Sequence, residues 1–130
     1  MDKEFVPYEQ ALALKELGFP QDFTNDGIWY YVTLSSGIIN SFCWTSGEDE
    51  PPKMFKPIIR PTFSQAFRWF RDRHQLSGTS QYFKGGYYCY TINDMKDTQE
   101  SNRLFTEFEN YEEAELTCLK KLIEIVKQNQ

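Results

Sequence analysis

The chain has 130 residues and a net charge of −5. Of its residues, 40% are apolar and 17% are aromatic. This apolar content is enough to fill the core of one domain and excludes intrinsic disorder. No apolar run reaches the roughly 20 residues that a membrane span requires, and the first residues lack the basic and apolar blocks of a secretory signal. We therefore expect one cytoplasmic domain over residues 1–130, and its negative charge disfavours direct binding to nucleic acid or to an anionic membrane.

The first predicted elements are a helix and a hairpin. The helix runs from Pro7 to Leu17, because proline suits the first helical position and Gly18 is a stop signal. Two strands follow, Ile28 to Leu34 and Ile38 to Thr45. The intervening Ser35-Ser36-Gly37 is typical of a β-hairpin turn.

A second helix is predicted to begin at Thr62, with Gln65 at the spacing of a capping box. At about 100° per residue its apolar side chains form one stripe, namely Phe63, Ala66, Phe67 and Phe70, with His74 at its foot. Trp69 lies about 120° from this stripe, beside Arg73 one turn on. It either covers a loop or anchors an interface, a role for which Trp and Arg are enriched.

The second predicted hairpin joins Ser80 to Phe83 and Tyr87 to Ile92 through Lys84-Gly85-Gly86. A further short strand is predicted at Arg103 to Phe108. With a third helix after Asn110, the order becomes α-β-β-α-β-β-(β)-α. That order predicts an α+β domain in which an antiparallel sheet of two hairpins packs against three helices.

The third predicted helix has Asn110 as its N-cap and an acidic first turn that suits the helix dipole. Its apolar arc covers about 200°, whereas a helix lying on a sheet needs little more than about 100°. The excess comes from a second apolar set that contains Leu116, Leu119, Ile123 and Val126. Either the helix lies between two elements of its own chain, or this set meets another chain.

Side chains that carry catalysis or bind metals are sparse. His74 is the only histidine, and the three cysteines, Cys43, Cys89 and Cys118, are too far apart for a zinc motif and odd in number. No glycine-rich phosphate loop occurs. We therefore predict no enzyme, no cofactor and no metal site, and we interpret the cysteines as small buried thiols.

Charge is unevenly distributed. Residues 94–115 carry eight acids against two basic residues, a net of −6, while Arg60 to Arg73 has a net charge of +3. Either these are two solvated faces, or the acidic segment docks on a basic partner. The acids chosen as candidate contacts are Glu107, Glu109, Glu112 and Glu113.

The predicted strands are rich in tyrosine. Trp29-Tyr30-Tyr31 and Tyr87-Tyr88-Cys89-Tyr90 place aromatic rings on both faces of their strands, because alternate residues point in opposite directions. These rings either form cross-strand pairs that support the sheet or offer a binding surface for a protein or a small ligand.

Three blocks of the sequence resemble a group of small uncharacterised proteins from Bacteroidota genomes and their phages or prophages. The blocks are Phe5 to Phe19, Pro61 to Arg71 and Tyr111 to Ile125, which coincide with the predicted helices. The resemblance implies a small accessory protein, of phage or prophage origin, and carries over no functional residue.

The leading hypothesis is a non-enzymatic binding protein whose partner is a host or phage macromolecule, for instance a host factor that it inhibits. Its candidate contact residues are Trp69, Arg73, Leu116, Leu119, Ile123 and the four acids above. The alternatives are a self-assembling structural protein that pairs through the third helix, and a small-ligand or nucleotide binder that uses the tyrosine-rich strands. An enzyme ranks last.

Overall fold

The computed structural model describes residues 2–23, 27–45, 47, 49–83, 85–96 and 108–130. Its elements in chain order are α1 (Tyr8–Glu16), β1 (Ile28–Thr33), β2 (Ile39–Trp44), β3 (Ile58–Ile59), α2 (Phe63–His74), β4 (Leu76–Phe83), β5 (Tyr87–Asp94) and α3 (Tyr111–Gln128). Short 3-10 turns occur at Asp2–Glu4 and Lys53–Phe55. The predicted α+β class and the order of its elements are confirmed.

The two predicted hairpins are present, and each belongs to its own antiparallel sheet. One sheet has the strand order β2-β1-β3 and the other is the β4–β5 pair. Sequence patterns missed β3, because a strand of two residues is too short to show alternation. Of the strand predicted at Arg103 to Phe108, residues 103–107 lie outside the described part of the chain, and Phe108 forms an isolated bridge with Tyr88.

Contacts group the chain into two compact units, residues 5–62 and residues 1–4 with 63–130. The prediction of one domain over residues 1–130 stays a prediction. The first contains α1 and the three-stranded sheet. The second contains α2, the β4–β5 hairpin and α3.

An arginine is enclosed by aromatic rings on one face of the three-stranded sheet. The guanidinium carbon of Arg60 lies 4.3 Å from the ring centroid of Phe5, 5.7 Å from that of Trp29 and 5.4 Å from that of Tyr31. Its Nη1 donates a hydrogen bond of 2.9 Å to Ser41 Oγ. A cation held over ring faces is attracted by their negative quadrupole, so this arginine ties the N-terminal segment to the sheet.

Aromatic rings also fill the opposite face of this sheet. Phe23 contacts Tyr30 and Trp44 edge to face, with centroids 5.4 Å and 5.9 Å apart. Tyr30 in turn contacts Phe42, its partner on β2. The two tyrosines of β1, Tyr30 on one face of the sheet and Tyr31 on the other, therefore both contact groups of their own unit. These contacts favour the interpretation that the tyrosines support the sheet.

In the second unit, α3 packs on the β4–β5 hairpin and on α2. The helix approaches β4 closely at Gly78, where a Cβ atom would lie 2.8 Å from Leu122 Cδ1 and 3.0 Å from Cys118 Sγ. Real Cβ atoms essentially never come closer than 3.0 Å to another atom, so a side chain at this position would require the Leu122 side chain to shift and would press on Cys118. The missing side chain lets the helix lie directly on the strand.

The first prediction concerns Arg60. Arg60→Met keeps most of the apolar stem but removes the charge from the ring cluster, and we expect it to lower the free energy of unfolding by about 1–2 kcal/mol. Ser41→Ala removes only the hydrogen bond from Nη1 and should cost about 1 kcal/mol or less. Urea denaturation measures both, and equal losses in the two variants would contradict the role of the rings.

The second prediction concerns Gly78. Gly78→Ala forces a methyl group against Leu122 and Cys118, and we expect a loss of about 1–3 kcal/mol in the free energy of unfolding. In a Leu122→Ala background the same change should cost less, because the shortened side chain leaves room for the new methyl group. A double-mutant cycle by urea denaturation tests this, and additive losses would show that the close contact is not the cause.

Candidate interaction surface

Two of the predicted contact residues on α3 belong to the interior. Leu119 has no exposed surface and Ile123 is also buried. This corrects the expectation that they line an interface: α3 contacts β4, β5 and α2, so most of its wide apolar arc is buried between elements of its own chain. Leu116 is half-buried. The first of the two alternatives for this helix is therefore the one that the fold supports.

Trp69 and Arg73 both lie on α2, but they differ in exposure to solvent. Trp69 is half-buried, and its ring contacts Phe70 and His74 edge to face at 5.1 Å and 4.9 Å. Arg73 is exposed. The tryptophan is thus engaged with rings of its own helix, which leaves less of it for an intermolecular contact.

The acidic residues around the start of α3 are on the surface. Asn110 caps the helix as predicted, since its Oδ1 accepts a hydrogen bond of 2.9 Å from the Glu113 amide. Glu109, Glu112 and Glu113 are exposed, whereas Glu107 lies outside the described residues. Glu112 forms a long, exposed ion pair with Lys3 at 3.9 Å. Such a pair contributes little to stability and leaves the carboxylate available to a competitor.

A row of three tyrosines leads from the hairpin to this acidic turn. Tyr82 and Tyr88 are cross-strand partners with ring centroids 5.3 Å apart, and Tyr88 contacts Tyr111, the first residue of α3, at 5.9 Å. Tyr82 is 63% exposed and Tyr111 is 41% exposed. The sequence contains these residues in two distant segments, and only the packing of α3 on the hairpin places them in one row.

Below this row lies a partly buried carboxyl group. Burial raises the pKa of Glu115 above its ordinary value, and so does the nearby charge of Glu112, although a hydrogen bond with Tyr111 acts in the opposite direction. The pKa of Tyr111 is raised too, first by burial and then by Glu115. We name this region the acidic tyrosine surface. It consists of the exposed residues Tyr82, Tyr111, Glu109, Glu112 and Glu113 and of the half-buried residues Tyr88 and Glu115.

The cysteines do not form a shared site. Cys89 and Cys118 are buried, and Cys43 is exposed, contrary to the interpretation of all three as buried thiols. Burial raises the pKa of Cys118 to about 12, so this thiol stays protonated at neutral pH. Within the described ranges, no three His, Cys, Asp or Glu side chains cluster in a way that would hold a metal ion.

A small open cleft lies near the end of α2. Its volume is about 190 Å³, and it is lined by His74, Leu76, Asp94, Lys96, Val126, Asn129 and Gln130. Typical ligand pockets of proteins measure about 300–1,000 Å³. The cleft is therefore small for a nucleotide, and none of the tyrosines lines it.

His74 borders this cleft with an unusual ring environment. Its Nε2 atom is buried and has no hydrogen-bond partner among the described residues, and its ring packs against Trp69 and Phe70. Burial lowers the pKa of His74 below its ordinary value of 6.5, with smaller contributions from Arg73 and Lys96. The neutral imidazole is thus the form that the fold prefers.

No protein-family model, curated protein or solved structure matches this chain. In the described part of the chain, no helix combines the length and the apolar character needed to cross a membrane.

The third prediction concerns pH. Because the pKa of His74 is lower in the folded chain than in the unfolded chain, its contribution to stability is complete above about pH 6.5 and is lost as the pH falls. His74→Gln removes the only imidazole and should flatten the decline in unfolding free energy between about pH 7 and pH 5.5. Glu115, whose pKa is raised, acts with the opposite sign at lower pH. Denaturation at several pH values tests this, and an unchanged slope in the variant would contradict it.

Proposed function

We propose that this protein acts by binding a macromolecular partner, and that a basic segment of that partner docks on the acidic tyrosine surface. The observation that carries the proposal is the row Tyr82–Tyr88–Tyr111, which ends at the exposed carboxylates of the first turn of α3. Ring faces attract cations, and carboxylates pair with them, so the surface combines two ways to hold Lys or Arg side chains.

Two further properties support a protein partner. Tyrosine is enriched among the residues that dominate binding energy at interfaces, and the exposed rings of Tyr82 and Tyr111 are stiff side chains that lose little entropy on contact. The net charge of −5 also steers basic partners toward the chain and repels nucleic acid. In the proposed context, an accessory protein of phage or prophage origin, the partner is a host factor that the protein inhibits by covering its basic groove.

The other candidate functions receive less support. Pairing through α3 is disfavoured because Leu119 and Ile123 are buried in the chain itself. Nucleotide binding is disfavoured at the His74 cleft by the small volume of about 190 Å³. Two groups that could take part in catalysis are poorly placed for it, since the Cys118 thiol has a pKa of about 12 and the Nε2 atom of His74 is buried.

The fourth prediction tests the charge of this surface. The triple variant Glu109, Glu112 and Glu113→Lys should bind an arginine-rich peptide of about ten residues at least tenfold more weakly than the parent chain, measured by calorimetry. Its matched control is Glu9, Glu16 and Glu50→Lys, which changes the net charge equally at exposed positions elsewhere. An equal loss in the control would show that only the overall charge matters.

The rings are tested in the same assay. Tyr82→Ala removes an exposed ring and should weaken peptide binding about threefold to tenfold, while Tyr82→Phe keeps the ring face and should bind nearly as the parent chain does. Loss of binding in both variants would assign the effect to the hydroxyl group and contradict cation–π contact.

A further inference from the structure

The two edges of the three-stranded sheet differ in how their backbone groups are satisfied. On the outer edge of β3, the Ile59 amide donates to Gln21 Oε1 at 2.8 Å, and the Pro61 carbonyl accepts from the Val6 amide at 2.8 Å. Phe5 also bridges Thr62. A side-chain amide and the N-terminal segment thus close this edge, which prevents a further strand from pairing there.

The outer edge of β2 is left open in the described residues. Leu34 donates its amide hydrogen to the Ile38 carbonyl, and the register of β1 with β2 continues this alternation along the pair. Because hydrogen-bonded pairs alternate in an antiparallel ladder, the N–H and C=O groups of Ile39, Ser41 and Cys43 point away from β1. No strand among the described residues pairs with β2 on that side.

The side chains of β2 leave this edge accessible. Ile39 is 40% exposed and Phe42 is 46% exposed, and neither a charge nor a proline interrupts β2. The strand lies within an uncharged run from Gly27 to Gly47, in a chain of net charge −5. Natural proteins protect open edges with lysine, proline or inward charges, and β2 has none of these.

We propose that β2 pairs antiparallel with β2 of a second copy of this chain, across a two-fold axis at Ser41. An antiparallel edge is self-complementary, since each copy offers the same donors and acceptors to the other. In this register Ser41 faces Ser41 of the second copy, Ile39 faces Cys43, and about six backbone hydrogen bonds form. Two three-stranded sheets become one sheet of six strands.

Charge and register are the reasons to expect that the strand pairing with β2 belongs to a second copy of this chain. The chain carries a net charge of −5, and the run around β2 adds no negative charge of its own; a positive group close to the axis is the guanidinium of Arg60, which donates to Ser41 Oγ. Self-pairing needs no further binding pocket, since backbone groups supply the contacts. An edge of six residues buries less than the roughly 800 Å² per partner of a standard interface, so we expect a dimer with a dissociation constant in the micromolar range.

The fifth prediction tests this register by charge exchange. Sedimentation of the full chain between about 5 and 200 µM should show a monomer–dimer equilibrium. Ile39→Lys with Cys43→Lys places like charges opposite each other across the axis and should give a monomer. Ile39→Lys with Cys43→Glu places opposite charges there and should restore the dimer. Both positions are exposed, and circular dichroism with urea denaturation confirms that each variant is folded.

The geometry can be measured without further substitution, because Cys43 is the exposed cysteine of the three. Spin labels on Cys43 of two copies should lie about 15–25 Å apart, since the register separates these residues by roughly four positions along the strands. A wild-type monomer over the whole concentration range would overturn the proposal. Equal behaviour of the two charge pairs, or a label distance well above about 25 Å, would overturn it as well.

Discussion

Close packing of α3 on the β4–β5 hairpin is the constraint from which the surface of residues 63–130 follows. The helix approaches β4 so closely that Gly78 meets Leu122 and Cys118 without room for a side chain. The packing buries most of the apolar arc of α3 and places its first residue, Tyr111, against Tyr88. The carboxylates of the first turn remain in solvent beside exposed rings, because the N-cap and the helix dipole favour acids there.

Aromatic rings have different roles in the two units. In residues 5–62 many of them pack internally, with Arg60 among the rings of one face of the sheet and Phe23 among those of the other, while Phe42 keeps 46% of its surface exposed. In residues 63–130 the tyrosine row has a half-buried ring, Tyr88, between two exposed ones, Tyr82 and Tyr111. The same residue type therefore stabilises one sheet and gives the other a surface for contact.

The two proposed interactions rest on different forces and occupy different units. Binding at the acidic tyrosine surface is electrostatic in large part, so salt should weaken it. Pairing of β2 uses backbone hydrogen bonds and apolar side chains in a neutral run, so salt should affect it little. Measurements at several ionic strengths on one preparation therefore distinguish the two interactions, and neither interaction depends on the other.

Local signals predicted much of the fold. The proline and glycine that bound α1, the Asn110 cap and the turn at Ser35-Ser36-Gly37 act within a few residues, so they can be recognised in the sequence. The two-residue strand β3 could not be predicted, because its hydrogen bonds join it to β1, about 30 residues earlier. The early start of β4 at Leu76 was missed for a similar reason, since Gly78 has weak strand propensity and this part of the strand is held by pairing with β5.

The candidate surfaces show the same division between local and long-range information. The sequence alone determined that the first turn of α3 is acidic and capped, and that β2 lies in an uncharged run. Only the tertiary structure decided that Leu119 and Ile123 are core residues and that Tyr82, Tyr88 and Tyr111 form a row. It also decided that Gln21 and the N-terminal segment close the β3 edge of the first sheet, whereas no described strand pairs with its β2 edge. The physical reason is that periodicity shows which side chains are apolar, whereas burial and edge pairing depend on which distant element packs against them.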